Sequence, residues 1–124
     1  MTSSDDARQR LLRAAWREIR SLNESNVVSL PAARRAIAAG ASPTDLVRAM
    51  TAASYEAVFR LLFLLSAEHI VEGNDGAETG WMILQTHLDD SGRASPAAGA
   101  DLDFLHEDLL TADPTGREGE DLFA

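Results

Sequence analysis

The segment from residue 42 to about residue 67 constrains the fold more than any other part of the chain. It opens with helix-start chemistry, because Ser42 can cap free amides, Pro43 fits the first turn and Asp45 follows the cap by three residues. Its apolar residues then recur at helical spacing. They are Leu46, Val47, Met50, Ala53, Ala57, Val58, Leu61, Leu62 and Leu65. Since this face is broad, the sequence predicts a long helix that must be covered on several sides.

An aromatic stripe lies beside this apolar face, because Tyr55, Phe59 and Phe63 are spaced by four residues. Two arrangements would cover it. Either the helix is the central helix of the domain, or the stripe meets a second copy of the chain in a homodimer. The spacing alone leaves both arrangements open.

The remaining helices follow from length and periodicity. A chain of 124 residues is about one domain long and can bury a single core without cross-links. Apolar periodicity predicts amphipathic helices over residues 5 to about 23, 31 to 39 and 102 to about 112. We therefore expect a mainly α domain of about four helices over residues 1–116.

Two segments depart from this helical pattern. Residues 81–88 fit a strand or a short helix, and the turn-forming sequence of residues 89–92 favours a strand. We therefore predict a short β-hairpin around residues 80–96. Residues 117–124 form an acidic C-terminal tail, whose Leu122 and Phe123 either pack against the body or stay mobile.

The charge of the chain is unevenly distributed within a formal net charge of −9. Residues 1–62 carry nine arginines and six acidic residues, whereas residues 63–124 carry two arginines and 14 acidic residues. This asymmetry predicts an electrostatic partner, which is either another protein or the other half of the same chain. The negative excess makes binding to nucleic acid or to an anionic membrane unfavourable.

Four arginines share one face of the first predicted helix. At about 100° per residue, they form a stripe about 80° wide that is clear of the leucines. They are Arg10, Arg13, Arg17 and Arg20. The stripe is either a solvated helix face or a docking surface for acidic groups.

The residue inventory excludes several kinds of chemistry. All 11 basic residues are arginine and cysteine is absent, which excludes thiol nucleophiles, disulfides and lysine-based catalysis. The histidines His69, His87 and His106 lack the spacing of a metal site. The sequence contains no phosphate loop, nucleophile elbow or dinucleotide fingerprint. We expect no catalytic residue, no cofactor and no metal.

Residues 36–50 resemble the helix-turn-helix of DNA-binding repressors, with Gly40 in the turn, Ser42 as the cap and Leu46 and Met50 facing inward. In that family the second helix enters the major groove of DNA. The resemblance implies that Arg48 would contact a phosphate or a guanine. The alternative is a helix–glycine–helix corner that packs the core.

The second half of the chain supplies a set of candidate partner-binding acids. They are Glu68, Glu72, Asp75, Asp89, Asp90, Asp101, Asp103, Glu107 and Asp108. Such acids either keep the protein in solution or pair with a basic target and steer the encounter with it.

These observations favour a non-catalytic, acidic protein-binding module. The form that we expect is a bacterial immunity or antitoxin-like inhibitor of a basic toxin or nuclease. A dimeric helix-turn-helix regulator and a structural subunit of a larger complex are the alternatives. The polar, acidic residues 1–6 do not resemble a signal peptide, so we expect a cytoplasmic protein.

Overall fold

The computed structural model describes residues 4–66, 71–72 and 78–124, and for residues 4, 5, 71, 72, 78, 79 and 98–101 it describes the backbone alone. The helices are α1 (Ser4–Ile19), α2 (Pro31–Ala38), α3 (Pro43–Leu64) and α4 (Glu120–Phe123). The strands are β1 (Val71–Glu72), β2 (Glu78–Thr79), β3 (Ile83–Leu88) and β4 (Ala94–Leu102). Single 3₁₀ turns occupy Val27–Ser29 and Leu105–Asp108. The predicted mainly α domain with a small hairpin is confirmed.

The long helix α3 begins as its sequence predicts. Ser42 Oγ accepts a hydrogen bond from the Asp45 amide at 3.2 Å, and Pro43 occupies the first turn. The helix ends at Leu64, a few residues before the predicted end. Gly40, at φ 109°, makes the turn between α2 and α3, because a residue with a side chain rarely adopts this backbone conformation.

The core lies between α1, α3 and the last part of the chain, residues 103–124, called the C-terminal segment below. Its buried members are Ala7, Leu12, Trp16, Ile19, Tyr55, Leu102, Leu105, Leu109 and Leu122. Ala52, Val58, Phe59 and Leu62 of α3 are partly buried and pack against this cluster. One face of α3 is therefore covered by other parts of the same chain.

Tyr55 belongs to this core. It is 6% exposed, stacks on Trp16 with ring centroids 5.6 Å apart and meets the ring of Phe123 edge-on at 5.4 Å. Of the two arrangements that the spacing left open, Tyr55 has the central-helix one, because its ring is enclosed within one chain.

The predicted helix over residues 102–112 does not form. β4 continues to Leu102, and Phe104 has a positive φ of 55°, which breaks any regular helix at that point. One 3₁₀ turn and a series of further turns follow. The apolar residues of this segment are still directed into the core, because Leu105 and Leu109 are both buried. Trp16 Nε1–H donates a hydrogen bond to the Leu109 carbonyl at 2.7 Å, which fixes these turns to α1.

The last eight residues pack against the body of the domain. Leu122 is buried, the Phe123 ring contacts Tyr55, and α4 contacts α3. Of the two alternatives for Leu122 and Phe123, the structure has the packed one.

The predicted hairpin is present and is longer than expected. β3 and β4 pair antiparallel with Ile83 opposite Leu102 and Leu88 opposite Ala94, and the register shifts between Leu84 and Thr86. Asp89 holds the connecting turn, since its carboxylate accepts hydrogen bonds from the Ser91 amide, the Ser91 hydroxyl and the Arg93 amide. These bonds lower the pKa of Asp89, chiefly through the Ser91 hydroxyl.

Two glycines test the packing of the C-terminal segment. Gly116 and Gly119 have φ of 74° and 73°, but only at Gly119 would an added Cβ meet a side chain, Leu110 Cδ2, at 2.9 Å. We expect Gly116→Ala to lower the free energy of unfolding by about 1 kcal/mol through backbone strain. Gly119→Ala should cost slightly more, by up to about 1 kcal/mol, because the end of the exposed Leu110 side chain must also shift to make room. Urea unfolding of both variants measures the difference, and a lower cost at Gly119 than at Gly116 would contradict this contact.

Candidate functional site

Arg20 is one of the four arginines of the predicted stripe, but its side chain binds carboxylates of the same chain. It joins α1 to the C-terminal segment. Its guanidinium donates to Asp113 Oδ2 at 2.8 Å and to Asp121 Oδ2 at 3.0 Å, and lies 5.0 Å from the centroid of the Trp16 ring. The planar guanidinium suits two carboxylates at once. Arg20 is therefore part of neither a solvated face nor an external docking surface, because internal carboxylates accept its hydrogen bonds.

The protonation equilibria of this cluster reflect the pairing. Burial by itself raises the pKa of Asp113, but hydrogen bonds from Arg20, Thr115 and the Gly119 amide outweigh it and lower the pKa to about 2. The hydrogen bond from Arg20 is the main cause that lowers the pKa of Asp121. The same bonds, led by the one to Asp121, raise the pKa of Arg20. All three groups are therefore charged at neutral pH.

The Asp113 pair predicts an acid-sensitive contribution to stability. The pKa is about 2 in the folded protein and about 3.9 in the unfolded chain, so the unfolded chain binds more protons between these values. The contribution of about 2 kcal/mol is complete above about pH 4 and is lost as the pH falls toward 2.

Urea unfolding between pH 5 and pH 2 measures this contribution. We expect Asp113→Asn to be less stable at pH 5 and to show a shallower loss of stability on acidification. The exposed Asp90→Asn is the control and should keep the wild-type slope. Equal slopes for wild type and Asp113→Asn would contradict the assignment.

The other three stripe arginines are exposed. Arg10, Arg13 and Arg17 line an open groove of about 390 Å³ together with Pro114. Among the described side chains, no carboxylate forms an ion pair with any of the three. The docking surface that the sequence suggested is therefore reduced to these three arginines, without Arg20.

The acids near the 3₁₀ turn are partly used within the fold. Arg8 Nη1 pairs with Asp108 Oδ2 at 3.1 Å, and Arg8 Nη2 donates to the Asp103 carbonyl. Glu107 is exposed. The Asp108 carboxylate and the main-chain carbonyl of Asp103 thus help to hold α1 against the C-terminal segment.

The remaining predicted acids divide into two groups. Asp90 is exposed at the tip of the β3–β4 hairpin, beside the turn-holding Asp89. The side chains of the others lie outside the described residues. They are Glu68, Glu72, Asp75 and Asp101.

The hairpin exposes large apolar side chains that the sequence did not identify as a site. The exposed fractions are 52% for Trp81, 55% for Met82, 38% for Leu84 and 74% for Leu88. Leu84 and Leu88 alternate with Ile83 and Gln85, which are partly buried, so an outward strand face carries leucine. These four side chains and Asp90 are called the hairpin surface below. The sequence feature that could have indicated this surface is Gln85, a polar residue within an otherwise apolar run. Because Gln85 takes the inward side of β3, the leucines on either side of it face outward.

The end of α3 carries the rest of the predicted aromatic stripe. Phe59 and Phe63 meet the His106 ring edge-on, with centroids 5.6 and 5.2 Å away. Phe63 remains 38% exposed, as do Leu61 at 54% and Leu64 at 43%. The stripe therefore turns inward at Tyr55 and Phe59 and reaches the surface only at its C-terminal end.

The helix-turn-helix region places Arg48 on the surface of α3. Arg48 and Thr44 line an open groove of about 280 Å³ that Arg20, Asp121 and Leu122 also line. The later turns of α3 pack against the core, as the core-packing interpretation expects.

Comparisons with protein-family models, curated proteins and solved structures gave no match. Within the described residues, no three histidine or acidic side chains are grouped so as to hold a metal ion. The described helices include none that is long and apolar enough to cross a membrane. The functional argument therefore rests on the geometry of this chain.

Proposed function

We propose that the chain is a non-catalytic protein-binding module that contacts a basic partner protein through the hairpin surface. The observation that carries the proposal is the exposure of Trp81, Met82 and Leu88 along a hairpin whose tip carries the exposed Asp90. An inhibitor of a basic toxin or nuclease, of the immunity or antitoxin type, is the form of this function that fits the charge.

The apolar part of the surface would supply most of the binding free energy. Each exposed side chain is unfavourable in water, and its burial at a contact yields about 25 cal/mol for each Å² of apolar area removed from water. Tryptophan and methionine are enriched in protein interfaces, and tryptophan frequently dominates their energetics. Trp81 and Met82 directly precede the strand, near Leu84 at its start, whereas Leu88 lies at its other end beside the hairpin tip.

The acidic part of the surface would select the partner. Residues 63–124 carry 14 acidic residues and two arginines, and Asp90 presents one carboxylate at the hairpin tip. Charges of this kind accelerate association with a basic protein and disfavour acidic ones. Localisation in the cytoplasm remains part of the same proposal.

A capture experiment with matched variants tests the proposal. The full chain is immobilised and exposed to a lysate of its source organism at low and at high salt. We expect a basic protein to be retained by the wild type and lost with Trp81→Ser/Leu88→Ser. The expected loss of affinity is about thirtyfold, since truncation of a central interface residue costs about 2 kcal/mol or more.

The control pair is Val28→Ser/Leu30→Ser, because these residues are 42% and 38% exposed and lie away from the hairpin. It should bind like the wild type. Asp90→Asn should slow association at low salt only, since salt screens exposed charges. Retention that is equal in all variants, or retained DNA that Arg48→Ala abolishes, would overturn the proposal.

A further inference from the structure

The exposed arginines of α1 form a second surface, which adjoins the hairpin surface where Arg10 and Leu84 line one open pocket. Arg10, Arg13 and Arg17 lie on one helix face and border a groove that Pro114 also lines among the described residues. We propose that this groove, called the arginine groove below, binds an acidic peptide segment of a partner protein. The inference is independent of the hairpin surface and does not require the function proposed above.

The first argument is the electrostatic cost of the stripe. Like charges three and four residues apart on a helix destabilise it, because their side chains lie side by side. The chain has 20 acidic residues for its 11 arginines, and it pairs Arg8, Arg20 and Arg117 internally. The three groove arginines have no such ion pair among the described side chains. A carboxylate from a partner would reduce the repulsion among the three arginines and would supply the negative charge that they lack.

The second argument is the shape of the groove. Between Arg10 and Arg17 the helix rises about 10 Å, which is the length of about three residues of extended chain. In such a chain the side chains of alternate residues point the same way and recur about every 7 Å. Two carboxylates on alternate residues can therefore reach neighbouring guanidinium groups, each of which can bind a carboxylate with two hydrogen bonds.

The third argument concerns the composition of the occupant. The ring of Pro114 and the aliphatic stems of the arginines make the walls partly apolar, so apolar side chains between the carboxylates would also be buried. A nucleic acid has no such alternation. Its dense charge would also meet a chain of net charge −9. The groove thus fits an extended segment in which acidic and apolar residues alternate.

Fluorescence anisotropy with a defined probe tests this inference. The probe is a fluorescein-labelled peptide of about eight residues in which glutamate and leucine alternate. We expect it to bind the full wild-type chain at low salt, and a glutamine–leucine peptide of the same length not to bind. Arg13→Gln/Arg17→Gln should weaken binding of the acidic peptide about tenfold or more.

The matched control is Arg34→Gln/Arg35→Gln, because both residues are exposed arginines on α2 and the net charge changes equally. This pair should bind the peptide within about twofold of the wild type. A similar loss in both pairs would show non-specific attraction and overturn the inference. Absence of peptide binding, or tighter binding of a DNA oligonucleotide through Arg13 and Arg17, would overturn it as well. Circular dichroism confirms that both variants remain folded.

Discussion

The attachment of the C-terminal segment to α1 is the constraint on which the rest of the structure depends. Trp16 provides most of it, since its ring is fully buried, its N–H bonds the Leu109 carbonyl and its face stacks on Tyr55. Arg20, directly after the end of α1, adds ion pairs with the carboxylates of Asp113 and Asp121. Because breaking a buried pair leaves an uncompensated charge, the two contacts hold the segment in one position. Without them, one side of α3 would be exposed to water.

This attachment explains part of the charge asymmetry. The basic first half and the acidic second half meet within the chain at Arg8 and Arg20, so one of the two alternatives left by the sequence is realised in the fold. Two sets of charged residues outside these pairs concern the proposals. The groove arginines lie on α1, and Asp90 lies at the hairpin tip. The two proposals assign these groups to two contacts of opposite charge.

Local chemistry allowed much of the fold to be predicted. The Ser42 cap, the apolar periodicity of α1 and α3, and the turn sequence after β3 each act over a few residues. The C-terminal segment could not be predicted, because its leucine spacing suits a helix while Phe104 adopts a positive φ that nothing in the local sequence signals. The candidate site was predicted in part. The spacing of Arg20 and Tyr55 correctly indicated that each makes a contact. Whether that contact lies within the chain or with a partner depends on residues that are distant in the sequence.

The two tryptophans allow the most direct test of this account. Hydrogen exchange of their indole N–H groups, followed by NMR, reports both environments in one sample. The account predicts that the Trp16 indole N–H, which is bonded to Leu109, exchanges only through large-scale unfolding. The Trp81 indole N–H, on a side chain that is 52% exposed, should exchange rapidly. Rapid exchange at Trp16 would contradict the attachment of the C-terminal segment, and slow exchange at Trp81 would contradict the exposure of the hairpin surface.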